Sequence, residues 1–173
     1  MTEEKGVRKL PPPPDPEIMV AQLTEYAARL FYHLAGTVVE RFGEEGAQAV
    51  RDAIHAFGVE RGRRVRHKVE EAGLAVTQEN EYKYHDLPIG SSAWQGETRQ
   101  ENNCHITHVT RCPFGNTWKE LGANEIGLLY CDIDYAIWEG YQPQIEFQLT
   151  KNILKGDPYC EMIYKWRGEN EEK

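Results

Sequence analysis

Apolar side chains recur every three or four residues along two long stretches of the first half of the chain, which predicts two amphipathic helices. Asp15-Pro16-Glu17 begins the first, since it joins a capping residue to a proline at the first turn. This helix runs to about Arg41, and Gly43 ends it. Its expected core stripe is Val20, Leu23, Ala27, Leu30, Phe31, Leu34 and Val38.

A second helix is predicted over residues 44–72, and Gly58 and Gly62 lie about one turn apart within it. Glycine costs about 1 kcal/mol in a helix interior. We therefore expect a close approach by another backbone or a ligand, with tight helix packing favoured. The basic run at residues 61–68 is interpreted as a solvated helix end, because cations suit the negative end of the helix dipole.

After Leu74 the pattern shortens to alternating stretches, which predicts strands. Residues 75–77 and 82–84 are expected to be short strand-like pieces, and residues 88–92 a loop. A longer strand is predicted over residues 103–111, where alternation puts Cys104 and His108 on one face and Thr107 and Val109 on the other. Pro113 begins a short helix that ends near residue 121.

An apolar helix at residues 124–140 and two strands at 143–149 and 159–166 complete the pattern. Together these elements predict an α+β fold with two long N-terminal helices packed on a mostly antiparallel sheet. A Cys-bearing helix is inserted before the last two strands. Residues 17–167 form a single domain in this interpretation. Residues 1–16, with four consecutive prolines, are a flexible arm, and the acidic residues 168–173 are a disordered tail.

The charge balance limits the classes of molecule that the chain is expected to bind. Lys and Arg number 20 against 28 Asp and Glu, so the net charge is -8 and a nucleic-acid partner is disfavoured. An anionic membrane surface is disfavoured too, and no apolar run approaches the roughly 20 residues that span a bilayer. Since the first ten residues lack an apolar signal core, we expect a cytoplasmic protein that has a small-molecule partner and is compatible with a homo-oligomer.

Four cysteines should then be reduced thiols, and one of them stands out. Cys131, Asp134, Tyr135 and Trp138 follow one another at i, i+3, i+4 and i+7, so they share one helix face. A thiol one turn from a carboxylate suits a nucleophile with a base. The alternative is a half-buried face on which the cysteine packs as a small hydrophobe.

The other thiols lie in the strand region. Cys104 and Cys112 are eight residues apart with His108 between them, so one strand face is expected to carry all three. Because there is no CxxC pair and no HExxH motif, we expect no metal site and no cofactor. Serine nucleophile, P-loop and dinucleotide motifs are absent as well. Thiol chemistry is thus the favoured enzymatic interpretation, with packing the best account of Cys104.

Several stretches together resemble the L-2-amino-thiazoline-4-carboxylic acid hydrolase family over about residues 20–165. The resemblance rests on a glycine-bearing helix and three cysteine-containing elements: residues 57–62 (FGVERG), 109–113 (VTRCP), 130–134 (YCDID) and 149–160 (LTKNILKGDPYC). It implies hydrolysis of C–N or C–S bonds in a small cyclic, amidine-like substrate. In the namesake reaction, water opens a 2-aminothiazoline ring and yields a carbamoyl-cysteine.

The resemblance also implies roles for particular residues. Cys131 is the expected nucleophile and Asp134 the general base or orienting group, with Cys112 and His108, expected on one strand face, as further catalytic candidates. The remaining candidates are expected to bind substrate or line its pocket: Cys160, Tyr135 and Trp138, with Lys151 and Arg111 for a substrate carboxylate.

The order of elements is similar to that of a second family as well, the small-molecule-binding 4-vinyl reductase domain. That similarity implies a binding or sensor module without turnover. The two hypotheses differ in what they require, since an enzyme of this kind needs an accessible thiol of low pKa and a binding module needs only an apolar pocket.

Overall fold

A computed structural model describes residues 11–101 and 104–167 of the chain. Within these residues five α-helices and one antiparallel sheet form the α+β fold that the sequence predicts. The predicted N-terminal arm falls mostly outside the described residues, and its residues 11–15 are exposed and in no regular element. The predicted tail at 168–173 lies outside them entirely.

Helix α1 (Pro16–Glu71) contains both predicted N-terminal helices, and Gly43 separates them with a non-helical backbone of φ 60° and ψ -137°. The Asp15 side chain caps it by accepting a hydrogen bond from the Glu17 backbone N–H (2.9 Å). Within the part of the chain described, no helix is both long and apolar enough to cross a membrane.

The predicted core stripe of the first half of α1 is partly wrong. Leu23, Leu30 and Leu34 are exposed, whereas Ala28 and Ala35 are buried. The neighbouring helix explains the shift, because the Trp118 indole N–H donates to the Ala28 carbonyl (3.0 Å) and requires small residues on that face. Side-chain size at the contact, which hydropathy does not register, decides the buried face.

Helix α2 (Gln78–Tyr84) replaces the strand-like piece predicted at 82–84. Thr77 caps it by accepting from the Asn80 N–H (3.2 Å), and Glu79 and Glu81 stand in its first turn near the positive end of the dipole. These helix-start signals outweigh the aromatic content of Tyr82 and Tyr84. The predicted strand-like piece at 75–77 is likewise not a strand, whereas the predicted loop at 88–92 is confirmed.

The sheet has four antiparallel strands in the order β1-β2-β4-β3. They are β1 (Gln95–Glu101), β2 (Cys104–Arg111), β3 (Ile145–Lys151) and β4 (Cys160–Trp166). The last three confirm the predicted strands within a few residues. Strand β1 escapes prediction because it is an edge strand whose seven residues are all exposed, so it carries no apolar alternation.

Three further helices join these strands: α3 (Pro113–Glu120), α4 (Asn124–Cys131) and α5 (Ile133–Tyr141). The first confirms the short helix predicted after Pro113. The other two divide the predicted helix 124–140 at Asp132, so the run from Cys131 to Trp138 crosses a helix break. A 3-10 turn, Ile153–Lys155, links β3 to β4 and ends at Gly156, which adopts a left-handed φ of 96°.

Helices α1 and α5 cross at van der Waals distance of their backbones, as the two glycines of the second helix predict. A Cβ at Gly58 would lie 2.6 Å from the Ala136 Cβ, and one at Gly62 would collide with the Ile137 carbonyl and the Tyr141 N–H. Gly140 makes the reciprocal approach to the backbone of Val59. The crossing allows no side chain between the two helices.

We expect Gly62→Ala to destabilise the fold by about 1–3 kcal/mol, because the added methyl must separate α1 from α5. The matched control is Gly36→Ala in the same helix, where a Cβ meets nothing within 4 Å. Alanine there should leave stability unchanged or raise it by up to about 1 kcal/mol. Urea unfolding of both variants measures the difference, and equal effects would contradict the close crossing.

Candidate functional site

A cavity of about 610 Å³ lies between the helices and the inner face of the sheet. Helix α5 supplies Asp134 and Trp138 to its wall, and strands β2 and β4 supply Val109 and Cys160. The exposed members of the lining belong to β1 and the segment before it: Gly90, Gln95, Gly96, Glu97 and Thr98. The cavity therefore reaches solvent beside the edge strand.

One wall of the cavity holds a buried ion pair. Arg61 of α1, 4% exposed, lines the cavity and clamps Asp86 with two guanidinium nitrogens (2.9 Å from Nε to Oδ2 and 2.6 Å from Nη2 to Oδ1). Arg64 adds a third contact to Asp86 at 3.1 Å. Burial opposes ionisation of Asp86, but the hydrogen bonds and charge of Arg61 outweigh it and lower the pKa of Asp86.

A second carboxyl group, Glu81 of α2, sits beside this pair and is 2% exposed. Burial raises its pKa to about 8, against the opposing charge of Arg61. Its neighbour His85 (3.6 Å between Nε2 and Oε1) has a pKa lowered by burial and then by Arg61, and its Nδ1 accepts the Leu87 N–H at 3.0 Å. Near neutral pH, Glu81 is thus mostly protonated and His85 is neutral.

Asp134 of α5 is the third acid in the cavity wall. It is half-buried, and desolvation raises its pKa to about 6 although the charge of Arg61 pulls the other way. Among the described residues no side chain or backbone N–H forms a hydrogen bond to its carboxyl group. Asp134 thus presents an ionisable and unoccupied acceptor to whatever enters the cavity.

Three cysteines line the same cavity: Cys112, Cys131 and Cys160. Burial raises the pKa of Cys112 to about 12 and also raises the pKa of Cys131 and Cys160. A hydrogen bond from Asn152 favours the Cys131 thiolate, but burial is the stronger effect. All three thiols are therefore protonated at neutral pH, in surroundings unlike those of a reactive cysteine.

Several of the residues singled out in the sequence lie at this cavity. Cys112, Cys131, Asp134, Trp138 and Cys160 all line it. Tyr135 does not, because its hydroxyl turns to the sheet and accepts the Leu149 N–H at 3.0 Å. The break at Asp132 separates Cys131 from α5, so the single helix face expected for these residues is not continuous.

His108 and Lys151 lie on the opposite, outer face of the sheet. His108 contacts Glu161 at 2.8 Å and stacks on Tyr159, which also receives a hydrogen bond from Lys151 (2.7 Å). The expectation that Cys112 shares the face of His108 is wrong, because β2 ends at Arg111 and Cys112 begins the turn into α3.

Arg111, at the exposed end of β2, is likewise absent from the lining of the cavity, and so is Cys104. Strand alternation accounts for the placement of Cys104 and His108, since Thr107 and Val109 face the cavity and the residues that alternate with them on β2 face away from it. The chain therefore puts its two expected carboxylate-binding cations, Arg111 and Lys151, outside the cavity.

Four residues of the site were not predicted from the sequence: Arg61, Glu81, Asp86 and Asn152. Arg61 belongs to the basic run at 61–68, which was interpreted as solvated. It directly precedes Gly62, however, and the spacing of Gly58 and Gly62 indicates that this side of the helix faces inward. Asn152 stands in the LTKNILKGDPYC element, with its side-chain oxygen accepting the Leu154 N–H at 2.9 Å. For Glu81 and Asp86 no local signal distinguishes them from surface acids.

Metal-ligand geometry is not found in the described part of the chain, where no group of three or more His, Cys, Asp or Glu side chains could hold an ion. The clusters at this site instead combine one guanidinium, carboxyl groups and separate thiols.

Three comparisons place the chain among known proteins. The family model of L-2-amino-thiazoline-4-carboxylic acid hydrolase matches residues 24–164. No curated protein matches. Among solved structures, a trafficking protein particle complex subunit 3 from Naegleria fowleri, covalently bound to palmitic acid, has a TM-score of 0.57 at 12% identity and covers 85% of this chain and 96% of its own. That likeness is one of fold.

The raised pKa of Glu81 makes a prediction about stability. An acid whose pKa rises on folding, here from 4.5 to about 8, holds its proton more tightly in the folded state, so it costs stability as pH rises between these values. Glu81→Gln should therefore raise the free energy of unfolding by on the order of 3 kcal/mol at pH 8 and change it little at pH 4. The exposed Glu79→Gln is the control. Urea unfolding at both pH values tests this, and a loss of stability at pH 8 would contradict it.

Proposed function

Because the chain belongs to the L-2-amino-thiazoline-4-carboxylic acid hydrolase family, we propose that its cavity binds a small cyclic, amidine-type substrate and hydrolyses it with Asp134 as general base. The observation that carries this proposal is the state of Asp134 itself. It lines the cavity, lacks a hydrogen-bond partner among the described residues, and has a pKa of about 6. A base with a pKa just below the operating pH is both ionised and strong enough to accept a proton.

Carboxylate-assisted attack by water fits this site better than attack by a thiolate. The pKa values of Cys112, Cys131 and Cys160 are all raised by burial, whereas an activated cysteine needs a lowered one. The three thiols then serve as apolar lining. The proposal keeps Asp134 from the sequence-based candidates, and a water molecule activated by Asp134 replaces Cys131 as the nucleophile.

The step follows from ordinary acid–base chemistry. The oxygen of a water molecule forms a bond to the ring carbon that joins nitrogen and sulfur while Asp134 takes one of the water's protons, and the C=N electron pair moves onto the ring nitrogen. The hydroxyl proton of the adduct passes to that nitrogen as the carbonyl forms and the C–S bond breaks. Protonated Glu81 supplies the proton that the departing sulfur needs, since its pKa of about 8 keeps it in the acid form at neutral pH. Proton exchange with solvent then returns Asp134 and Glu81 to their starting states.

Arg61 replaces Arg111 and Lys151 as the cation available to an anionic group on the substrate. It is the guanidinium in the cavity lining, and it is held in place by Asp86. Its charge also lowers the pKa of both Asp134 and Glu81 relative to burial alone, so it keeps these two acids within a useful range.

Asp134→Asn should lower kcat/KM for ring opening of 2-amino-thiazoline-4-carboxylate by about 100-fold or more, because the amide accepts no proton. Wild-type kcat/KM should rise with pH through about 6, as Asp134 ionises, and fall again above about 8, as Glu81 loses its proton. The lower limb should vanish in the variant. Asp132→Asn, which removes an exposed carboxyl group two residues away, is the control and should retain activity within a few-fold. Because the charge of Asp132 contributes to the raised pKa of Asp134, this control should also move the lower limb to lower pH without abolishing it. A variant of Asp134 with wild-type activity would overturn the proposal.

The cysteines provide an independent test. Alkylation by iodoacetamide should be slow below pH 9 at Cys112, Cys131 and Cys160, because each thiol is held protonated by burial. Cys131→Ala should keep most of the ring-opening activity. Rapid labelling of Cys131 at pH 7 that abolishes turnover, together with an inactive Cys131→Ala, would restore the thiolate mechanism.

A second candidate is a binding module without turnover, which needs only an apolar pocket and no activated thiol. The fold likeness to a trafficking-complex subunit covalently bound to palmitic acid also supports it. The two candidates separate on one measurement: tight binding of an aminothiazoline with no ring opening by wild-type protein identifies the binding module.

A further inference from the structure

The cavity is larger than the ring that the proposed function places in it. An apolar cavity of about 150 Å³ holds one benzene, which is about 25 Å³ for each carbon. A thiazoline ring with its amino and carboxylate groups has nine non-hydrogen atoms and so fills well under half of the cavity's 610 Å³. On the same scale, roughly fifteen further atoms fit beside it.

The lining of the cavity is divided in its chemistry. One part holds the charged and titratable side chains Arg61, Glu81, His85 and Asp134, which are coupled to one another through the charge of Arg61. Much of the remaining lining is apolar, and six of its members form one hydrophobic cluster, in which Trp94, Val109, Leu149 and Cys112 pack with the buried Phe114 and Cys160.

The apolar part offers no charged group that would bind a small zwitterion. Among its described residues the thiols are protonated, and Tyr130, whose pKa burial raises to about 12, stacks on Phe114 at 5.3 Å between ring centroids. If only a small polar ring bound, this space would hold water against an apolar wall, which is unfavourable.

We propose that the substrate is an amphipathic molecule, with a cyclic amidine-type head group beside Arg61, Glu81 and Asp134 and an apolar substituent of about eight to twelve carbons against Val109, Phe114 and Cys160. This inference rests on the proposed function for the identity of the head group. The length of the substituent rests on the volume and lining of the cavity alone.

The direct test is a series of 2-amino-thiazolines that carry no alkyl chain, a butyl chain or an octyl chain on ring carbon 5. Isothermal titration of wild-type protein should show the Kd falling by about two- to four-fold per methylene as far as the octyl compound, the upper figure corresponding to about 0.8 kcal/mol per buried methylene. Octanoate, a chain without the head group, should bind at least about ten-fold more weakly than the octyl compound.

Val109→Phe supplies the structural control, because Val109 faces the cavity from β2. The larger ring should weaken binding of the octyl compound by about ten-fold or more and leave the unsubstituted ring unaffected. Ile106→Phe, on the outer face of the same strand, should change neither. Should Val109→Phe fail to fold, the chain-length series with wild-type protein decides alone.

The outcomes separate this inference from the proposed function. A Kd independent of chain length, or equal binding of octanoate and the octyl compound, overturns the amphipathic substrate. If the unsubstituted ring is then opened in an Asp134-dependent manner, the proposed function survives that loss. A strong dependence on chain length with no ring opening for any compound supports the amphipathic ligand and contradicts the hydrolase.

Discussion

The close crossing of α1 and α5 determines the geometry of the whole site. Gly58 and Gly62 let the backbones meet, and Arg61 lies on the turn between them, so the same contact that joins the helices also carries a guanidinium into the interior. Helix α5 then holds Asp134 within the electrostatic reach of that charge. A side chain at either glycine would separate the two helices and so the cation from the acid.

Burial raises the pKa of both kinds of acid in the cavity, with opposite consequences for their chemistry. It moves the pKa of Asp134 to about 6 and that of Glu81 to about 8, and so brings two carboxyl groups into the range where they exchange protons at neutral pH. The same desolvation takes the pKa of Cys112 to about 12 and suppresses its thiolate. The same low-dielectric cavity therefore makes its carboxyl groups effective in proton transfer and keeps its thiols protonated and unreactive.

The limits of prediction from this sequence have physical causes. The helix break at Gly43, the close packing at Gly62 and the alternation in β2 could be predicted because backbone conformation and strand period are local properties of the sequence. The edge strand β1 could not, since exposure on both faces removes the apolar pattern. The thiols of the cavity were found through their motif contexts. Glu81 was missed and His108 misplaced, because which acid is buried, and where a strand ends, depend on packing between distant elements.

Titration of the Asp134 carboxyl group tests the central claim most directly. Carboxyl carbon NMR of wild-type protein labelled at aspartate, with the Asp134→Asn spectrum to assign the resonance, gives the midpoint without any substrate. This half-buried acid, which has no hydrogen-bond partner among the described residues, should titrate near pH 6. A midpoint below about 4, the value of an exposed aspartate, would mean that Asp134 is solvated or paired and is no general base.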